Sequence, residues 1–310
     1  MIKNKKEKAM AIKNFEELIR KIKKIKRPKK VVVASAQDRH TLEALIKVEK
    51  DGIVESILIG NKNKIKELLS ELDFEKNDDN IIDSHSDTET ASKAVEVIRD
   101  ERADFLMKGK IQTAELLRAV VDRDMGLRTG RIMSHITLLE IPTYHKLVAV
   151  SDGGMVINPN LEEKKQILKN AVDVFLALGY ENPKVAALAA VETVNPQMQE
   201  SVHGEILKNM NLIGEIKNCI VEGPISYDLA MCEDSARIKE YKSTVAGDAD
   251  ILLVPNITVG NILSKSLVYS GGSRMAGFIT GARVPIVLTS RGATAEEKYL
   301  SLLLCAAMFK

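Results

Sequence analysis

The sequence contains few of the residue types that mark several large classes of protein. It has no Trp, its aromatic residues make up 4% of 310 residues, and its three Cys are widely spaced. So few aromatic rings leave few platforms on which nucleic-acid bases can stack. Three scattered Cys form neither a disulfide framework nor a zinc pattern, so we expect them to be buried structural residues in a reducing compartment.

Signals for membranes and for secretion are also missing. No apolar run approaches the length that a membrane span needs. The first residues lack the apolar core of a signal peptide. We therefore expect a cytoplasmic protein that binds neither membranes nor nucleic acid.

The common cofactor motifs are absent as well. The chain has no G-x-x-x-x-G-K-S/T, no G-x-G-x-x-G after its early strands, and no His, Glu and Asp at metal-ligand spacing. These absences argue against a P-loop, a dinucleotide-binding turn and a metal site. His135 follows Ser134 directly, and adjacent residues on a strand face opposite sides, so a structural role for His135 is favoured over a catalytic Ser–His pair.

Positive charge is concentrated at the N-terminus. Met1 to Lys30 contains eleven Lys, two Arg and three Glu, although the whole chain has a net charge of only +2. A basic arm can bind an acidic partner. However, apolar residues recur here at helical spacing, which predicts an amphipathic helix over 10–27 with its lysines in water. These residues are Ile12, Phe15, Leu18, Ile19, Ile22 and Ile25.

Strand and helix patterns alternate along most of the chain, which predicts an α/β fold with a mainly parallel sheet. Two strands, over 131–139 and 147–152, follow each other closely and are candidates for an antiparallel pair. We predict a first αβα domain from 1–130 together with 282–310, and a second αβα domain from 131–281. The active site is expected in the cleft between them.

The stretch from Val284 to Ser301 carries the strongest local signal for a site. An apolar strand runs into Ser290-Arg291-Gly292, and Thr294 and Glu297 then have the spacing of a helix capping box. A hydroxyl, a guanidinium and free backbone N–H groups at a helix start are suited to binding an anion.

Polar residues follow several other predicted strands. In open α/β sheets ligands bind at the carboxyl edge, so we expect these strand ends to meet at one edge. The strand ends are Lys108-Gly109, Asp152-Gly153-Gly154, Glu222-Gly223-Pro224, Pro255-Asn256 and Ser290-Arg291-Gly292. Four arginines lie near these ends in sequence and are either phosphate ligands or ordinary surface residues. They are Arg118, Arg128, Arg131 and Arg291.

Several separated motifs occur in an order that resembles the phosphate acetyl/butyryltransferase family. They are Lys108-Gly109 with Thr113 to Arg118, Gly126 to His135, Val221 to Pro224 with Asp228, Ala246 to Asp250, Pro255-Asn256 with Gly260-Asn261 and Lys265, and Val287 to Arg291. The resemblance covers the chain from about Lys30 onward. The second and last of these motifs are most similar to the butyryl branch.

The resemblance implies reversible transfer of a short acyl group between coenzyme A and inorganic phosphate. It also implies a two-domain αβα fold like that of isocitrate and isopropylmalate dehydrogenases, a homodimer or higher homo-oligomer, no metal and no tightly bound cofactor. The catalytic residues that it implies are Ser290, Arg291, Arg118 and Glu297. The matching motifs nominate for substrate binding Lys108, Thr113, Arg128, Arg131, Asp152, Gly153, Asn256, Asn261 and Lys265.

The chain departs from the acetyl-specific pattern at two positions. Glu297 stands where those relatives usually have Asp, and Gly153 where they often have Cys. The second change removes side-chain volume, which favours a longer acyl chain. Glu297 has two competing interpretations, a catalytic base and a helix cap. As a base it is mismatched to a thiol of pKa about 8.5 by roughly four units, unless burial raises its pKa.

Two functions of other classes remain open from the sequence. A β-decarboxylating dehydrogenase of the same fold would need metal-binding Asp residues and a nicotinamide site. A non-catalytic scaffold would use the basic N-terminal helix to bind an acidic partner. Within the acyltransferase family, acetyl is the alternative to butyryl.

Overall fold

A computed structural model describes residues 11–24, 27–290 and 292–309 of the chain. The described strands are β1 (Lys29–Ala34), β2 (Val54–Gly60), β3 (Ile81–Asp83), β4 (Phe105–Lys108), β5 (Ser134–Glu140), β6 (Leu147–Ser151), β7 (Lys184–Leu188), β8 (Ile220–Ile225), β9 (Ile251–Leu253), β10 (Arg274–Thr280) and β11 (Ile286–Val287). The described helices are α1 (Phe15–Ile22), α2 (Arg39–Lys50), α3 (Lys62–Glu71), α4 (Asp87–Arg99), α5 (Thr113–Val120), α6 (Leu161–Leu178), α7 (Gln199–Leu212), α8 (Tyr227–Met231), α9 (Glu233–Ile238), α10 (Ile257–Tyr269) and α11 (Ala295–Ala307).

The described strands form one sheet in the order β3-β2-β1-β4-β11-β10-β5-β6-β9-β7-β8. Strands β1 to β4 and β11 are mutually parallel, and so are β6 to β9. The antiparallel pairs lie in the middle, where β10 pairs with β11 and β5, and β5 pairs with β6. The mainly parallel α/β fold and the antiparallel pair β5–β6 are therefore confirmed.

The direction of the strands corrects one expectation. Because the three central pairs are antiparallel, β6 to β9 run opposite to β1–β4 and β11. The carboxyl end of β6, before Asp152, therefore lies at the opposite edge from the ends of β4 and β11. The expectation that all the polar strand ends meet at one edge was wrong, since it assumed one direction for every strand.

Both ends of the described chain pack on the same part of the sheet. Strand β11 lies parallel beside β4, and α11 packs on α2, α1 and β10. Helix α1 is shorter than the predicted helix over 10–27, but it buries Phe15, Leu18 and Ile22 as the apolar spacing required. Ile25 lies outside the described residues. The basic side chains of α1, Arg20 and Lys21, lie on its exposed face.

The described residues also test two smaller expectations. Cys219 and Cys305 are buried free thiols, whereas Cys232 is exposed, between α8 and α9. The expectation of a buried thiol was therefore wrong for Cys232, which is followed by the exposed, charged residues Glu233 and Asp234. Among the described helices, none is both long enough and apolar enough to cross a bilayer.

Candidate active site

A cavity of about 280 Å³ lies on one face of the central strands β5 and β10. Its floor follows from the register. Thr137 pairs with Gly277, and residues two apart on a strand share a face, so His135, Thr137, Met275 and Gly277 all face this space. The walls come from α10, from the start of α11 and from the loops after β6 and β11.

Seven of the residues that the sequence nominated line this cavity together. They are Lys108, Thr113, Gly153, Asn261, Lys265, Ser290 and Glu297. They come from both edges of the sheet, because the cavity extends along the face of β5 and β10. Residues that follow β4 and β11 therefore reach the cavity from one edge, and residues that follow β6 reach it from the other.

The turn between β11 and α11 presents Ser290 and Glu297. Ser290 is exposed at the cavity, and its hydroxyl accepts a hydrogen bond from the backbone N–H of Gly292 at 3.4 Å. Thr294 caps α11 by accepting from the N–H of Glu297 at 3.2 Å, and the Glu297 carboxylate accepts from the N–H of Thr294 at 2.9 Å. The predicted capping box is confirmed.

The environment of Glu297 also bears on whether this residue can act as a catalytic base. Its carboxylate lines the cavity, and burial raises its pKa, although the hydrogen bond from Thr294 and the charge of Lys298 act in the opposite direction. A carboxylate of raised pKa is a better match for a thiol. Capping and proton transfer are therefore compatible in this one side chain.

Lys108 and Thr113 reach the cavity from the end of β4 and the start of α5. Lys108 is buried, and its ammonium donates to the carbonyl of Gly109 at 3.2 Å. Gly109 has no room for a side chain, since a Cβ there would lie 2.1 Å from the carbonyl oxygen of Ser35. This close approach of two backbones fixes where the lysine leaves the sheet.

The loop after β6 is held by a buried carboxylate. Asp152 accepts from the backbone N–H groups of Gly154, Met155 and Val156 at 2.7, 2.9 and 3.1 Å. Asp152 thereby orders the loop that borders the cavity.

Gly153 has a packing role in addition to the volume that it leaves. A Cβ at this position would lie 3.0 Å from the carbonyl carbon of Gly260 in α10, so the glycine lets the loop approach the helix closely. Asn261 then donates to the carbonyl of Gly153 at 3.2 Å. The sequence argument from volume alone missed this contact.

Five of the nominated residues do not line this cavity as far as the structure describes it, and they are Arg118, Arg128, Arg131, Asp152 and Asn256. The sixth, Arg291, lies outside the described residues. Their roles stay predictions from the sequence.

Those residues have other contacts in this structure. Arg118 is exposed and pairs with Glu115 at 2.6 Å. Arg131 pairs with Asp173 at 2.7 Å and lines a separate cavity of about 470 Å³. Asn256 caps α10 by accepting from the N–H of Val259, and the backbone of Arg128 bridges to Ala282.

Sequence reasoning missed two groups of cavity residues. His135, which was interpreted as structural, lies in the floor of the cavity, and burial lowers its pKa. The second group is apolar and comprises Val268, Met275, Leu288 and Ala293. Helical spacing from Asn261 and Lys265 offered a signal for Val268, but Met275 became identifiable only from the pairing of β10 with β5.

The cavity therefore combines two kinds of surface. Lysine ammonium groups, hydroxyls and an amide suit an anionic group, while the apolar residues suit a short hydrocarbon chain. Glu297, a carboxylate of raised pKa, lines the same cavity and can exchange a proton.

Comparison with known proteins agrees with this combination. The family model described as "Phosphate acetyl/butaryl transferase" matches residues 14–93 and 87–306. A phosphate butyryltransferase of Clostridium acetobutylicum is 41% identical over 295 residues, which are 95% of this chain and 98% of the relative. A phosphate acetyltransferase of Thermotoga maritima is also 41% identical, over 90% of this chain and 94% of the relative.

Solved structures are similar over most of the chain. A branched-chain phosphotransacylase from Enterococcus faecalis has a TM-score of 0.79 and 31% identity, covering 90% of this chain and 98% of its own. A 4-hydroxythreonine-4-phosphate dehydrogenase from Burkholderia phymatum has a TM-score of 0.54 at 12% identity, over 92% of this chain and 99% of its own. This second likeness shows the fold alone and confirms the expected dehydrogenase-like architecture.

Proposed function

Since this chain belongs to the phosphate acetyl/butyryltransferase family, we propose that it transfers a short acyl group, butyryl or a similar chain, between coenzyme A and inorganic phosphate. The observation that carries the proposal is the cavity, in which Lys108, Ser290 and Glu297 share one space with apolar side chains. Coenzyme A and phosphate act as substrates, and neither a metal nor a tightly bound cofactor takes part. We place the reaction in the cytoplasm.

The reaction needs one proton transfer and one substitution. The coenzyme A thiol gives its proton to Glu297, and its sulfur attacks the carbonyl carbon of the acyl phosphate. The new C–S bond forms, the bond from that carbon to the phosphate oxygen breaks, and inorganic phosphate leaves. No covalent acyl-enzyme is required.

The cavity residues have distinct roles in this proposal. Lys108 and Lys265 attract the phosphoryl group, together with Arg291 from the sequence pattern. The hydroxyl of Ser290 donates to the oxygen that becomes negative during attack. Burial raises the pKa of Glu297, which reduces the mismatch between this carboxyl and the thiol.

The direct test measures free thiol released from a series of acyl-CoAs, acetyl to hexanoyl, in the presence of phosphate. We expect the highest kcat/KM with four-carbon or branched four- to five-carbon chains. Two methylenes in a fitting apolar pocket are worth about 10- to 30-fold over acetyl. An acetyl-CoA value equal to or above that of butyryl-CoA would contradict the butyryl preference and favour an acetyltransferase.

The same preparation tests the rival dehydrogenase activity. Specific reduction of NAD(P)⁺ in the presence of Mn²⁺, without thiol release from any acyl-CoA, would contradict acyl transfer altogether. Thiol release without nucleotide reduction is the expected result.

We also propose that the protein is a homodimer, as the family resemblance implies. Helix α10 buries only Gly260 and Ser264, while Val259, Ile262 and Tyr269 are 40%, 60% and 76% exposed. A second copy covering this apolar surface would remove it from water. We expect light scattering to give twice the chain mass of 34.2 kDa, and Ile262→Glu to give the single mass. A wild-type mass of one chain would contradict the dimer.

A further inference from the structure

The imidazole of His135 crosses from β5 toward β11 over a position that has no side chain. His135 of β5 pairs with Ile279 of β10, and Gly277 lies two residues before Ile279 on β10. A Cβ on Gly277 would lie 3.1 Å from both Cε1 and Nε2 of the ring. A side chain at 277 would therefore crowd the far end of the imidazole, which would have to shift by a few tenths of an ångström.

A second glycine packs against the near end of the same ring. A Cβ on Gly154 would lie 3.0 Å from Cγ of His135 and 3.1 Å from its Cβ. The ring is thus enclosed between two backbones, those of Gly154 and Gly277. Such an enclosed side chain has one orientation, and this makes its hydrogen bonds directional.

The ring has two hydrogen-bonding neighbours. Nδ1 lies 3.3 Å from the hydroxyl of Thr137, and the ring also hydrogen-bonds to the backbone of Leu288. A carbonyl accepts from an N–H, so the nitrogen that faces Leu288 carries the proton. By antiparallel register from the Ile279–Ile286 pair, Leu288 lies opposite Gly277, on the side of Nε2. We therefore assign Nε2–H as the donor and Nδ1 as the acceptor from the Thr137 hydroxyl.

The acceptor lies in the segment that leads to Ser290. Strand β11 consists only of Ile286 and Val287, and it pairs with β10 through Ile279 and Ile286 alone. Leu288 follows directly, and the chain then leaves the sheet. A hydrogen bond from a rigid side chain to Leu288 extends the support of the sheet to a position two residues from Ser290.

We propose that His135 is a positioning residue, whose neutral imidazole spans Gly277 to hold the carbonyl of Leu288 and thereby sets the place of the Ser290 hydroxyl in the cavity. The inference rests on the proposed function, because it assigns the hydroxyl of Ser290 a role during acyl transfer. Burial lowers the pKa of His135, against the opposing charge of Asp152, so the ring is neutral near pH 7.

The test compares two amide replacements of different length. Gln places its amide N–H near the former Nε2, whereas Asn falls short of Leu288. We expect His135→Asn to lower kcat at least tenfold, with KM for phosphate within twofold of wild type. We expect His135→Gln to retain at least a third of the wild-type kcat, since it keeps a donor of the right reach.

Two further variants separate positioning from folding. His203→Gln changes another buried His, which lies in α7 away from this cavity, and it is expected to leave kcat unchanged. Gly277→Ala moves the far end of the ring by a few tenths of an ångström and is expected to lower kcat in the same direction as His135→Asn. Melting temperatures of all four variants are measured in parallel.

The outcomes decide the inference independently of the proposed function. Wild type without thiol release from any acyl-CoA would remove the proposed function itself. With wild type active, the inference is overturned if His135→Asn keeps kcat within twofold, or if the Gln and Asn variants lose kcat and melting temperature equally. If the Asn variant does not fold, full activity in Gly277→Ala overturns the inference, and a tenfold loss without unfolding supports it.

Discussion

Replacing Glu297 with Gln is expected to lower kcat by about 10²–10⁴-fold at pH 7 while the melting temperature barely changes. Gln cannot accept the thiol proton, which removes the general base. It remains acceptable at the third position of the capping box, where its carbonyl oxygen can still accept from the N–H of Thr294. The change therefore removes the chemistry of the side chain and keeps its structural role.

The stability part of this expectation follows from the sign of the pKa shift. Burial raises the pKa of Glu297 in the folded protein, so ionisation is less favourable there than in the unfolded chain. Its contribution to stability is fully present below the pKa of the unfolded chain and is lost as the pH rises through the raised pKa of the folded protein. Neutral Gln has no such cost, so Glu297→Gln is not expected to destabilise the fold.

The dependence of the loss on pH gives a second measurement. Near the thiol pKa of about 8.5, thiolate forms without a base, so the difference in kcat between wild type and Glu297→Gln is expected to shrink. Rate profiles from pH 6 to 9 in the direction that consumes the thiol, with saturating butyryl phosphate and coenzyme A, would show this convergence.

Glu296 supplies a matched control for Glu297. It is the neighbouring carboxylate of the same helix turn, it pairs with Arg274 at 3.0 Å, and it does not line the cavity. Glu296→Gln is expected to leave kcat unchanged. If Glu297→Gln turns over like wild type at pH 7 while Glu297→Ala loses stability, then Glu297 is a cap and the thiol is activated by other groups.

Replacing Ser290 with Ala is expected to lower kcat by about 10²–10³-fold, the range reported for removal of one donor from an oxyanion site, or about 2.7–4 kcal/mol. Ser290 is exposed at the cavity, and the hydrogen bond that its hydroxyl accepts from Gly292 is long, at 3.4 Å. Little folding energy depends on it. The proton of the hydroxyl is therefore available to a substrate oxygen, and its removal should act on the rate rather than on stability.

Steady-state kinetics with butyryl-CoA and phosphate measure this loss. KM values are expected to change by less than threefold, because the donor acts mainly on the charge that develops during attack. Ser270→Ala is the control, since Ser270 is an exposed residue at the C-terminal cap of α10 outside the cavity. A kcat within twofold of wild type in Ser290→Ala would show that another group stabilises the oxyanion.

The local structure followed closely from the sequence. The spacing of Thr294 and Glu297 predicted the capping box that starts α11, and the run of β-branched residues at Val31 to Val33 predicted β1. Five of the seven nominated cavity residues, all except Asn261 and Lys265, lie at strand ends or helix starts, which carry recognisable turn and capping patterns. Such features depend on residues within a few positions of each other, so the sequence itself determines them.

The direction of the strands was decided only by the tertiary structure. The pattern of apolar residues that predicts a strand does not depend on the direction of that strand in the sheet. Nothing in the sequence near Asp152 therefore indicated that β6 points opposite to β4. Register across β5 and β10 then placed Met275, Gly277 and His135 under the cavity. Those pairings join residues about 140 positions apart, and local patterns carry no information about them.

His135 shows the difference most clearly. Its sequence neighbourhood correctly argued against a pair with Ser134, because adjacent strand residues face opposite sides. What its side chain does face depends on Gly154, Gly277 and Leu288, which three other segments of the chain bring to it. The sequence by itself determined which residues face one side of each strand and which residues begin each helix. The packing of distant segments decided which of these residues share a site, because that packing depends on strand order, direction and register across the whole sheet.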